Sequence, residues 1–66
     1  MDKLVITPRE AATILSTSIT TINEQLAAGE IPAYREGRNW KIPKASLNAY
    51  IMERAEKEAA ARRNNQ

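Results

Sequence analysis

Two groups of side chains in this sequence have types and spacing suited to recognition chemistry. Arg35, Arg38 and Lys41 recur at every third position around Gly37. Cations presented on a turn suit a line of anionic groups. Thr20 and Asn23 stand three apart and upstream of them. An asparagine amide can bond an adenine edge bidentately, and a threonine methyl can touch a thymine methyl. The two chemistries together are those of a duplex DNA ligand, gripped by its phosphates and read at its base edges. Glu24 can accept from a cytosine amine or simply repel phosphate. Arg9 and Ser18 stand at helix starts, whose free N–H groups are natural phosphate seats. The candidate DNA-contacting residues are therefore Arg9, Ser18, Thr20, Asn23, Arg35, Arg38 and Lys41.

The elements that must position these residues are legible in the pattern. Residues 7–29 read as two short helices, over about 8–15 and 18–28, joined by a tight turn. That arrangement is the helix-turn-helix unit, whose second helix enters a major groove. Thr7, Pro8 and Glu10 form a capping box with proline at the first helical position, and Ile6 and Ala11 hold the staple positions. Ser16, Thr17 and Ser18 break the helical pattern by bonding locally to backbone, and Ser18 suits an N-cap. Ile22 and Leu26 face the core, with Ile19 near Leu26 on a wheel of about 100° per residue. Thr20, Asn23, Glu24 and Ala27 lie opposite. Gly29 suits the position after the helix, where φ is positive.

Residues 33–35 and 40–42 flank Glu36-Gly37-Arg38-Asn39, a hairpin signal. An even loop places Trp40 on the face of Arg35, and an odd one places it beside Tyr34. In either case Trp40 and Ile42 share a face, which favours a core role for Trp40, while Lys41 points away. Tyr34 is open to two roles, a lid on the core or a phosphate donor. Residues 3–6 form a short apolar run with strand character. Pro43 ends the second hairpin strand. A third helix starts near Lys44 with Leu47, Tyr50, Ile51 and Ala55 inward, and Glu53–Lys57 and Glu58–Arg62 as i,i+4 pairs. Past Met52 its inward face holds only alanines, so it should project and fray near Arg63.

Composition narrows the chemistry. Sixty-six residues allow one small domain and no large enclosed site. There is no cysteine and no histidine. Disulfides, thiolate zinc sites, a cysteine nucleophile and the usual general base near neutral pH are all excluded. No enzymatic role, metal or cofactor is expected. The net charge is +2, and its placement matters more than its size. The cations cluster beside the helix pair, and the second helix has none. No run reaches a membrane span and no signal-peptide pattern is seen, so the expected location is cytoplasmic.

The runs TPREAATILSTS and INEQLAAGEIPAYREGRNWKIPKASLNAYI resemble the excisionase-type helix-turn-helix family, which shares the winged helix of the mercury-resistance-type regulators. The resemblance covers residues 6–51. It rests on Thr7-Pro8 with Glu10-Ala11-Ala12 and Leu15, on residues 29–35, on Gly37, and on residues 40–43 with Leu47, Tyr50 and Ile51. The sequence departs from the family in two places. Ser16 and Thr17 stand where a glycine and an aliphatic residue are usual, and Ile19, Thr20 and Glu24 stand where basic residues are common.

The resemblance implies a mainly α fold with a small β-hairpin: a winged helix-turn-helix of three helices plus wing, over residues 1–52. Residues 53–66 form a C-terminal helix extension and tail. It implies a sequence-specific DNA-binding protein, read as an excisionase that bends DNA and assists an integrase, with further copies on adjacent sites as possible partners. A transcriptional regulator of the same fold is the alternative. A protein-interaction module that has lost DNA binding is the second alternative.

Overall fold

The computed structural model describes residues 3–64. In chain order it contains β1 (Val5–Ile6), α1 (Pro8–Ile14), α2 (Ile19–Ala27), β2 (Tyr34–Glu36), β3 (Asn39–Pro43) and α3 (Lys44–Asn64). It is a mainly helical protein with a three-stranded antiparallel sheet of order β1-β3-β2, a winged helix-turn-helix. The short run before α1 becomes a true strand, pairing Ile6 with Ile42 and Val5 with Pro43. The Lys44 N–H donates to the Leu4 carbonyl at 2.9 Å, fixing the start of α3 against the same strand.

Both helices of the helix-turn-helix are defined by their ends. Thr7 caps α1: its hydroxyl accepts from the Glu10 N–H at 3.1 Å, and the Glu10 carboxylate accepts from the Thr7 N–H at 3.0 Å. Ser18 caps α2 by accepting from the Thr21 N–H at 3.1 Å. Both C-termini close in the same way. After α1, the Thr17 N–H donates to the Ala12 carbonyl at 2.9 Å and Ser16 to Thr13 at 3.2 Å. After α2, Glu30 donates to Gln25 at 2.9 Å and Gly29 to Leu26 at 3.1 Å. This double pattern is the Schellman motif, which needs a left-handed residue just past the helix. Gly29 takes it with φ 77° and Ser16 with φ 52°. Ser16 thus fills, with a side chain, the position where the family usually has glycine.

The core draws on every element of this frame except β2. Ile6 comes from β1, Ala11 and Ala12 from α1, Ile22 and Leu26 from α2, Ile42 from β3 and Leu47 from α3. Ile31, in the loop after α2, is buried with them. The two alanines of α1 allow α2 to approach closely. Full burial of one such isoleucine contributes about 1.5–3 kcal/mol. A core this small rarely supplies more than about 3–5 kcal/mol in total, so each large side chain matters.

Three expectations are corrected. Ile19, the first residue of α2, is 38% exposed and does not share the buried stripe of Ile22 and Leu26. Ala55 is exposed, since α3 leaves the core after Tyr50 and Ile51. Glu58 pairs with Arg54 at 3.6 Å and not with Arg62. Arg54 lies between it and the Tyr50 hydroxyl, 3.4 Å away, on one i,i+4 stripe. Helix α3 runs to Asn64, within a residue of the expected end near Arg63. Its alanine-rich end has high helix propensity, and Arg62 and Arg63 complement the terminal dipole. The Glu53–Lys57 pair is present at 3.1 Å. No helix among the described residues is long and apolar enough to cross a membrane.

Candidate nucleic-acid interface

The wing is organised by a two-residue loop. Glu36 pairs with Asn39, Arg35 with Trp40 and Tyr34 with Lys41. Gly37 takes the first loop position with φ 65°, as a type II′ turn requires. The even loop settles the parity left open by the sequence. Arg35, Trp40 and Ile42 share the sheet face that packs on the core, and Tyr34 and Lys41 share the other.

That register gives Arg35 a specific seat. Near the wing tip the core has ended, so the side chain is not buried but lies across its strand partner. The guanidinium carbon sits 4.9 Å from the centroid of the Trp40 ring, within cation–π range. Trp40 is half-buried and packs against the core with its other surfaces. The ring therefore has two functions, closing the end of the core and holding a cation at the surface.

The held cation opens onto α2. An open cleft of about 620 Å³ is lined by Asn23 and Ala27 of α2 and by Arg35, Arg38 and Trp40 of the wing. Thr20 and Asn23 are exposed, as are Arg35 and Arg38. Glu24 is the one charged residue of α2 and is also exposed. The exposed surface of α2 thus carries no charge but this carboxylate, and the positive charge stands across the cleft on the wing.

The remaining candidates fall outside the cleft. Lys41 is half-buried on the opposite wing face beside Tyr34, which is 50% exposed. Arg9 is exposed on α1, where its carbonyl accepts from the Thr13 hydroxyl at 3.1 Å. Ser18 is committed to capping, with its hydroxyl also 2.9 Å from that of Thr21. The start of α1 is not an open phosphate seat. Glu10 occupies it, paired with Lys3 at 3.0 Å. The Thr7 N–H and the Lys3 ammonium hold its carboxyl below the usual range, so an anion already stands there. The start of α2 carries no acidic residue in its first turn, and its leading N–H groups point outward as at any helix start.

Sequence reasoning missed two features, the exposure of Ile19 and the second role of Trp40, whereas it placed Ala27 on the outward face with Asn23. The pairing of Arg35 with Trp40 follows from loop parity, for which the Gly37-Arg38 dipeptide was the available signal.

The helix-turn-helix domain family matches residues 5–55 of the chain. Comparison with curated proteins and with solved structures finds no match.

Proposed function

The chain belongs to the excisionase-like helix-turn-helix family of DNA-binding domains, and from that premise we propose that it acts as a recombination directionality factor. In this reading α2 enters a major groove while Arg35 and Arg38 grip the adjoining backbone. The observation that carries it is the single cleft bounded by Asn23 and Ala27 on one side and the two wing arginines on the other. A rigid body that engages groove and flank together favours bent DNA. A single module covers only about 600–1,000 Å², so neighbouring copies or an integrase would supply the rest of the affinity. Lys41 would reach DNA only along the outer wing face, and Arg9 and Ser18 would add contacts at the helix-turn-helix. The family is typically non-enzymatic.

The test has two stages. Gel-shift titrations with the ends of a mobile element should show binding that weakens steeply with salt. Excision by the cognate integrase, with and without the protein, should then show dependence on it. Salt-independent or absent binding overturns the DNA reading. Firm binding with no effect on excision moves the assignment to transcriptional regulation.

A further inference from the structure

We propose that α2 reads thymine methyl groups, which makes the preferred ligand an A·T-rich major groove contacted through Ile19, Asn23 and Ala27. The proposal rests on the DNA-binding reading above and specifies which bases that site takes.

The first observation is the placement of Ile19. It is the first residue of α2, where recognition helices meet base edges. It is 38% exposed, whereas Ile22 and Leu26 on the same helix are 0% and 4% exposed. A branched apolar side chain is therefore held at the part of the helix that enters the groove first, and the core does not need all of it.

The second observation is alignment. Ile19, Asn23 and Ala27 are successive fourth residues and so form one stripe on the helix. Asn23 and Ala27 line the cleft that faces the wing. The stripe therefore lies on the side from which the wing arginines approach the backbone. Its members stand about 6 Å apart along the axis, so the three span roughly four base pairs at about 3.4 Å each.

The third observation is chemical. In the major groove the apolar group is the thymine C5-methyl, and the bidentate partner of an asparagine amide is adenine. Guanine is read chiefly by arginine or lysine, and α2 has neither. Methyl-bearing side chains on either side of an asparagine thus match thymines flanking an adenine. Glu24 lies off this stripe, beside Thr20.

The experiment uses the full chain. Duplexes are selected from a randomised pool, and the selected site is then remade with single deoxyuridine-for-thymidine replacements, each removing one methyl. Affinities are read by fluorescence anisotropy. The pool should enrich A·T pairs over about four positions. Deoxyuridine at the thymine facing Ile19 should weaken binding about fourfold, the equivalent of one buried methyl. Ile19→Ala, whose fold is checked by its thermal melt, should bind the thymine duplex more weakly and should no longer distinguish it from the deoxyuridine duplex. A selected G·C core, tolerance of deoxyuridine at every position, or binding without any sequence preference overturns the proposal and leaves DNA binding standing. Failure to bind any duplex overturns both.

Discussion

Replacing Arg35 with alanine should remove one phosphate contact and leave a measurable salt signature. Each neutralised phosphate contributes about 0.9 to the slope of log affinity against log salt on B-DNA. Between 50 and 200 mM salt, the gap between the wild type and Arg35→Ala should therefore narrow by roughly 3.5-fold. The Trp40 ring, 4.9 Å from the guanidinium carbon, should act through the same contact. An exposed cation–π pair contributes about 0.5–1 kcal/mol. Trp40→Leu keeps an apolar side chain against the core, so it should weaken binding about two- to fivefold with little change in slope. The double variant Arg35→Ala/Trp40→Leu should bind no more weakly than Arg35→Ala alone, because the ring then has nothing to hold. Anisotropy titrations at four salt concentrations measure all of this. Additive losses would refute a positioning role for Trp40. An equal slope change from Lys41→Ala, on the opposite wing face, would show that DNA meets the wing's overall charge and not the cleft.

Three further predictions concern the frame that presents this surface. Ser16→Gly should raise stability by about 0.5–1 kcal/mol, because φ 52° costs a side-chain-bearing residue roughly 1–2 kcal/mol and glycine's extra unfolded freedom returns part of that; thermal melts measure the gain, and DNA affinity should not change. The lowered Glu10 carboxyl contributes stability that is fully present above its ordinary value of 4.5 and is lost as pH falls through its folded value, so thermal melts should show the wild type more stable than Glu10→Gln above that value, with the difference shrinking as pH falls below it and the variant's own profile flatter in that window. Truncation after Met52 should spare single-site binding and weaken cooperative occupancy of adjacent sites; equal loss of both would show that the rest of α3 supports the fold.

Much of the fold is legible in the sequence because local chemistry and burial agree. The capping box at Thr7, the cap at Ser18, the glycine at 29 and the Ile22–Leu26 pair each point to the same two helices, and the structure has them within a residue. What was not legible depends on partners distant in sequence. Ile19 looks like a core residue on a helical wheel, but the wheel does not show that it stands at the very start of α2, where it is left 38% exposed. Ser16 does not advertise a left-handed backbone as a glycine would. Its conformation is set by the closure of α1 and the direction the chain must take into α2. The face of Trp40 turned on one residue of loop length, which decides whether the ring lies against Arg35, as it does, or beside Tyr34.

The central claim is that α2 and the inner wing face form one DNA-binding surface, with base reading on the helix and grip on the hairpin. The most direct test is an amide chemical-shift titration of the isotope-labelled chain with a duplex carrying its selected site. Residues 19–27 and 35–40 should shift together, at the same saturation point, while α3 beyond residue 52 does not move. Shifts confined to α3, or to the wing with α2 unaffected, would contradict that claim.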